Sequence, residues 1–332
     1  MDSPIPRAIL LSTLALGCSL AQNSVTVVSA ASYFNGPQEN GVPGNPSVAP
    51  GSIVSMFASN IATRTTVATN PPPAPLPTNL DGVSATITDA SGNTQPIRLI
   101  EVTPGQINAV LPSGLQAQTC FALCSGPGLN PDTAVVNVTT STGNHISGEV
   151  NLLAVSPGLF SADQTGTWLA AAQVVTTHAD GSQTYMDSIA TCTSNLVWNG
   201  YTWSGCVPVP VDVGTGTDQV VLELFGTGIR GANAIAETDP QYANGPGVSV
   251  IAGPVCSNAN PDCNYLEVLY AGPQGARAPG SFYGLDQVNV VLPPSLAGSG
   301  VISLTVEAVA GYVGADCCEL VDSNNAVYVY IK

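Results

Sequence analysis

Apolar and polar residues alternate along most of this chain with a period of two, in runs of strand length broken by Gly, Pro, Asn and Ser. The runs at 25–30, 52–58, 83–88, 97–102, 106–112, 135–140 and 146–153 predict about seven short strands. The turn Asp89-Ala90-Ser91-Gly92-Asn93 joins two of these runs as a hairpin, and Ser141-Thr142-Gly143-Asn144 joins two more. No stretch shows the 3.6-residue period of an amphipathic helix, so the pattern predicts an all-β, immunoglobulin-like β-sandwich. The proline run 70–77 reads as a stiff polyproline connection between strands.

The pattern then repeats. Gln106-Ile107-Asn108-Ala109-Val110-Leu111-Pro112 recurs as Gln287-Val288-Asn289-Val290-Val291-Leu292-Pro293, 181 residues later. Ser52-Ile53-Val54-Ser55-Met56-Phe57 aligns with Val220-Val221-Leu222-Glu223-Leu224-Phe225 at an offset of 168, as Ile61 does with Ile229. The difference of 13 residues falls in the region of Cys256 and Cys263. Runs at 248–251, 266–271, 287–292, 301–309 and 326–331 continue the order of the first half. The sequence therefore predicts two tandem sandwiches from an internal duplication, 22–155 and 156–332. Because Gln106, Asn108, Gln287 and Asn289 recur in halves that differ in every insert, these amides are expected to hold neighbouring loop backbone instead of a ligand.

Residues 1–21 carry one positive charge at Arg7, an apolar run at 8–16 and the small residues Ser19 and Ala21, which is the layout of a cleaved secretory signal. A lipoprotein reading would modify Cys18, but Ala15-Leu16-Gly17 fits that pattern only in part. The remaining 311 residues contain no apolar run long enough to span a bilayer. Their formal charge is −16, which repels phosphate backbones and anionic lipid and excludes nucleic acid as a partner class. The expected location is outside the cell or on its surface, where eight cysteines pair by default. Short separations favour Cys120 with Cys124, Cys192 with Cys206 and Cys256 with Cys263. Cys317 and Cys318 then form a vicinal bridge or reach one of the others.

Five ordered segments, Ala49-Pro50-Gly51-Ser52-Ile53-Val54-Ser55, Leu76-Pro77-Thr78-Asn79-Leu80-Asp81-Gly82-Val83, Val102-Thr103-Pro104-Gly105-Gln106-Ile107-Asn108, Phe225-Gly226-Thr227-Gly228-Ile229 and Gly284-Leu285-Asp286-Gln287-Val288-Asn289, carry a resemblance. They resemble the uncharacterised Solibacter-type C-terminal domain family, tandem immunoglobulin-like, IPT/TIG-like modules of exported acidobacterial proteins. The resemblance spans about residues 25–331 and implies a β-sandwich fold and a secreted or surface location. It brings no catalytic residues, and it is silent on the cysteine-bearing inserts.

Catalytic chemistry finds little material. The two histidines, His145 and His178, sit in turns, and His178-Ala179-Asp180-Gly181-Ser182 reads as a hairpin turn instead of a triad. No spacing selects a carboxylate pair among Glu101, Glu149, Glu223 and Glu267. The acidic loops around Asp212 and Asp218, or Asp239 and Asp262, lack the dense oxygen ligands of a calcium loop. No catalytic residue, metal ligand or cofactor is expected.

The insert 192–206 carries the one site-level expectation. Asn199-Gly200 predicts a two-residue hairpin in which Trp198 opposes Tyr201 and Leu196 opposes Trp203. A bulge near Ser204-Gly205 would let Cys192 and Cys206 close its base. Trp198, Tyr201 and Trp203 would then form either a small satellite core or a stacking platform for a sugar ring or protein partner. The expected function is a non-catalytic exported or cell-surface module for adhesion, matrix or glycan interaction. The alternative is a structural subunit or spacer of an extracellular assembly that associates with itself, and a secreted hydrolase ranks third.

Overall fold

The structure is a computed structural model, and it describes residues 24–33, 47–69, 75–117, 133–198, 203–214, 216–232, 247–253, 264–275, 283–312, 318–323 and 325–332. Eleven strands precede residue 155: β1 (Thr26–Ser29), β2 (Ser47–Val48), β3 (Ile53–Phe57), β4 (Thr66–Val67), β5 (Asn79–Leu80), β6 (Val83–Thr88), β7 (Thr94–Pro96), β8 (Arg98–Val102), β9 (Gln106–Val110), β10 (Thr133–Thr139) and β11 (His145–Leu152). They form one sheet in the order β1-β3-β9-β8-β4 and a second in the order β2-β11-β10-β6-β5, with β7 paired to β6.

Alternation decides how these sheets meet. In β6, Val83, Ala85 and Ile87 are buried and the intervening Ser84, Thr86 and Thr88 are half-buried. Val83, Ala85 and Ile87 pack with Val136 and Val138 of β10 against Val54, Met56, Leu99, Ile107 and Ala109 of the facing sheet. Burying one such side chain fully contributes about 1.5–3 kcal/mol. The hairpin turn at Asp89 forms as expected: its carboxylate accepts the Ser91 hydroxyl at 2.6 Å and the backbone N–H groups of Ser91, Asn93 and Gln116 at 3.1, 3.0 and 2.9 Å. These bonds hold the Asp89 carboxyl down from its ordinary 3.8 to about 2.

The remaining strands are β12 (Gly158–Leu159), β13 (Trp168–Leu169), β14 (Ala172–Thr177), β15 (Gln183–Met186), β16 (Ala190–Trp198), β17 (Trp203–Pro208), β18 (Gln219–Thr227), β19 (Val248–Ala252), β20 (Asn264–Leu266), β21 (Val268–Pro273), β22 (Asp286–Val291), β23 (Gly300–Tyr312), β24 (Cys318–Asp322) and β25 (Val327–Ile331). One sheet runs β15-β14-β18-β22-β21 with β12 on β18, and its partner runs β13-β25-β23-β19-β20 with β24 on β23. Leu222, Leu224, Val288 and Val290 meet Val250, Val306, Val327 and Val329 in a second core, which draws on residues from Val155 to Ile331. The fold is all-β, with two cores of sandwich type in series.

The central strand pair of each sandwich keeps one register. Ile53, Ser55 and Phe57 stand opposite Val110, Asn108 and Gln106. Val221, Glu223 and Phe225 stand opposite Val291, Asn289 and Gln287, at the same sequence offsets as the repeated motifs.

A third apolar cluster joins the two halves. Ala30, Ala31, Ile53, Leu76 and Val110 of the first sandwich pack with Phe160 and Leu285 of the second, and Phe225 and Tyr283 lie against them half-buried. The outer face of β3 and β9 is thus covered at Ile53 and Val110. Polar bonds accompany the seam: the Thr227 hydroxyl accepts the Ile53 amide N–H at 2.8 Å and donates to the Gly284 carbonyl at 2.8 Å, and Ser156 and Ser47 hydroxyls meet at 3.1 Å.

Candidate functional site

The repeated amides resolve into a side-chain network. Gln106 donates to the Asn108 carboxamide oxygen at 2.8 Å, which also accepts the Ser55 hydroxyl at 2.8 Å, while Asn108 donates to Glu101 at 3.0 Å. Burial pushes the Glu101 carboxyl up against the opposing bond from Asn108. Burial likewise pushes the Tyr33 hydroxyl up, offset by its bond to Ser55. In the second sandwich, Gln287 donates to Asn289 at 2.7 Å, and Gln173 to Glu223. The expectation that these amides hold loop backbone is therefore corrected. Their partners are side chains, along the same strand for Gln106 with Asn108 and Gln287 with Asn289 and on adjacent strands for Ser55 and Glu101 with Asn108, because alternation aims them along one face of the sheet.

The insert 192–206 also differs from its expectation. Cys192 and Cys206 are joined as expected. In the ribbon, however, Trp198 stands opposite Trp203 and Val197 opposite Ser204, so four residues separate the arms in place of a two-residue Asn-Gly turn. The register shift falls between the Cys192–Cys206 and Val197–Ser204 pairs, with the extra residues on the β16 arm opposite Ser204-Gly205, where the bulge is expected. Tyr201 lies outside the described residues, and so do Cys120, Cys124, Cys256, Cys263 and Cys317. The ribbon forms a two-stranded sheet of its own. Its base is seated where Ala190 and Cys206 pack with Leu169, Trp168 and Tyr328. Trp168 holds a φ of 129°, a conformation that costs an L-residue of order 1–3 kcal/mol and that the surrounding packing sustains.

His145 begins β11, and His178 lies in the turn between β14 and β15. His178 accepts or donates at both ring nitrogens, Nδ1 to Asp218 at 3.0 Å and Nε2 to the Thr184 hydroxyl at 3.2 Å. This has the connectivity of a hydroxyl–imidazole–carboxylate relay, which the sequence conceals because Asp218 lies 40 residues from His178. Thr184 is exposed on the edge strand β15, so the arrangement has none of the enclosure from which acyl transfer draws its rate. It serves to tie the β14–β15 turn to residue 218. Among the described residues, no three His, Cys, Asp or Glu side chains are grouped to hold a metal ion, and no helix is long and apolar enough to cross a membrane.

The site that the sequence did not disclose is the cleft at the seam. It is an open groove of about 390 Å³ between Gln95, Arg98 and Ser113 of the first sandwich and Arg230, Gln274 and Tyr283 of the second. Arg230 is fixed at its rim: Nε donates to the fully buried Asp286 at 2.8 Å, and one Nη group donates to the Leu285 carbonyl at 3.0 Å. Asp286 also accepts the Ile229 amide at 2.8 Å. Burial pushes its carboxyl up, while the Arg230 charge and these N–H groups pull it back. Arg98 donates to the Leu76 carbonyl at 3.0 Å. Among the described residues Arg64, Arg230 and Lys332 each pair with an aspartate, and Arg98 does not.

No carboxylate lines the cleft among the described residues. Its chemistry is that of recognition: two guanidinium groups, two amides and two hydroxyls around an open cavity. One signal for it was in the sequence. With only six Lys and Arg residues against 22 Asp and Glu, every base is informative, yet nothing local indicated that Arg98 and Arg230 share a space. No family model matches the chain, and no curated protein matches it.

Proposed function

We propose that this is a non-catalytic, exported or cell-surface binding protein that holds an acidic saccharide of the extracellular matrix in the cleft between its two sandwiches. The observation that carries this reading is the placement of Arg98, which has no carboxylate partner among the described residues, beside Arg230 in a cleft of a chain whose net charge is −16. A carboxylate-bearing sugar offers the planar acceptor that a guanidinium grips with two hydrogen bonds, and amides and hydroxyls such as those of Gln95, Ser113, Gln274 and Tyr283 suit its ring hydroxyls. The surrounding acidic surface repels anions elsewhere, so the cleft selects for a ligand that reaches both bases. The disulfide and the signal-like residues 1–21 support an oxidising destination.

The test is calorimetry of the full chain against paired neutral and uronic-acid-containing oligosaccharides of equal length. Binding confined to the uronate series, and weakened at least tenfold by Arg98→Ala with an unchanged melting temperature, is the expected result. Equal binding of neutral sugars, or none of either series, rejects the reading.

A further inference from the structure

The two sandwiches turn the same corner with different chemistry. Asn60 and Gly228, equivalent at the 168-residue offset, take φ of 59° and 77°, and each is followed by a fully buried isoleucine, Ile61 or Ile229. The amide N–H of that isoleucine needs an acceptor. In the first sandwich it donates to the Pro104 carbonyl at 3.1 Å. At the 181-residue offset Pro104 corresponds to Leu285, which could offer its carbonyl in the same way. The second sandwich uses a side chain instead: Ile229 donates to the Asp286 carboxylate at 2.8 Å, and the Leu285 carbonyl accepts Nη2 of Arg230 at 3.0 Å.

The first sandwich carries neither member of this pair. Ala62 stands at the position of Arg230, and Gly105 at that of Asp286. The corner therefore folds without them. The Asp286 side chain is 0 % exposed, and sinking a carboxylate so deep costs desolvation that a backbone acceptor avoids. A more costly solution to the same turn, in one copy only and at the wall of the cleft, points to a task beyond the fold.

That task is orientation. A guanidinium carries five N–H groups. Asp286 holds Nε of Arg230 at 2.8 Å and Leu285 holds one N–H of Nη2 at 3.0 Å, while the other three have no partner among the described residues. Asp286 also accepts the Arg230 backbone N–H at 3.2 Å, so one carboxylate ties both ends of the residue. On the other side lies Gly51 of the first sandwich, where a Cβ would come within 3.4 Å of Arg230 Cδ and 3.7 Å of Nη1. An arginine held in this way has already lost its rotamer freedom on folding, and it keeps a planar fork for one carboxylate.

We propose that Asp286 is the positioning residue of the cleft, fixing Arg230 so that the unpaired end of its guanidinium grips the carboxylate of the bound saccharide alongside Arg98. This role rests on the acidic-saccharide reading of the cleft. It predicts a sign that charge alone does not. Asp286 is a negative group beside an anion site, so by charge alone its removal tightens anion binding. By positioning, its removal weakens binding.

A double-mutant cycle on the full chain tests this, with calorimetry of a uronic-acid-containing oligosaccharide against wild type, Arg230→Ala, Asp286→Gly and the double variant. Asp286→Gly should weaken binding at least tenfold, and the double variant should bind no more weakly than Arg230→Ala. Unchanged or tighter binding by Asp286→Gly overturns the role and leaves the saccharide reading standing. An equal loss in the Arg230→Ala background also overturns it, since Asp286 would then act through the fold and not through Arg230. No binding by wild type overturns both. Nitrogen-15 spectra of the ligand-free wild type supply a readout that needs no folded Asp286 variant. The Nε–H signal that Arg230→Ala removes should exchange slowly with solvent, and exchange as fast as that of free arginine overturns the positioning role.

Discussion

The Thr227 hydroxyl stands 2.8 Å from the Ile53 amide nitrogen, and this bond crosses from the second sandwich to the first. The same hydroxyl donates to the Gly284 carbonyl, so one side chain satisfies two buried backbone groups that no strand ladder serves. Thr227→Val keeps the shape and removes both bonds. It should cost about 1–3 kcal/mol, since a buried donor and acceptor are left unpaired. Chemical denaturation checks this, and a loss below a few tenths of a kcal/mol would show that water replaces the hydroxyl.

Gly284 closes the same seam from the other side. Its φ of 77° suits glycine, and a Cβ there would lie 2.7 Å from Ile53 Cγ1 and 3.2 Å from the Gly51 carbonyl oxygen. Gly284→Ala should therefore destabilise by about 1–3 kcal/mol through strain and overpacking, and should weaken saccharide binding by shifting the cleft wall. Thermal unfolding and calorimetry together check both effects. A variant as stable as the wild type would show that the seam has slack.

Acid sensitivity should trace to Asp89. Its carboxyl titrates at about 2 in the folded chain against an ordinary 3.8, so its contribution is fully present above the unfolded value and is lost as pH falls through the folded one. In Asp89→Asn the melting temperature should drop at neutral pH, and the difference from wild type should shrink between about pH 4 and pH 2. A difference that does not change with pH would place the effect in packing, not in charge.

The Cys192–Cys206 bridge should act locally. It closes a ribbon that pairs with neither sandwich sheet, and a loop of that length gains about 3 kcal/mol from closure. Reduction should raise amide hydrogen exchange across β16 and β17 while leaving exchange in β9 and β22 slow. Spread of the increase into those central strands would show that the ribbon supports the core.

Legibility followed the range of the interactions. The alternation in 83–88 specified β6 and its inward residues, because a strand's two faces are set by the backbone pleat and need no partner to be defined. The repeat of Gln106 and Asn108 in Gln287 and Asn289 anticipated a shared register in the two central strand pairs. The ribbon was legible in extent but not in register. Asn199-Gly200 predicts that Trp198 opposes Tyr201, yet Trp198 stands opposite Trp203.

The sequence by itself determined the strand-rich fold class, the core-facing positions and the acidity, and its short separation favoured the Cys192–Cys206 pairing, all of which depend on local pattern. Only the tertiary structure decided that Arg98 and Arg230 face one cleft, that Asp218 reaches His178 and that the second sandwich covers Ile53. Those relationships arise where two finished sandwiches meet or where distant loops fold back. A period of two along the chain says which face of a strand is apolar; it carries no information about what arrives to cover it.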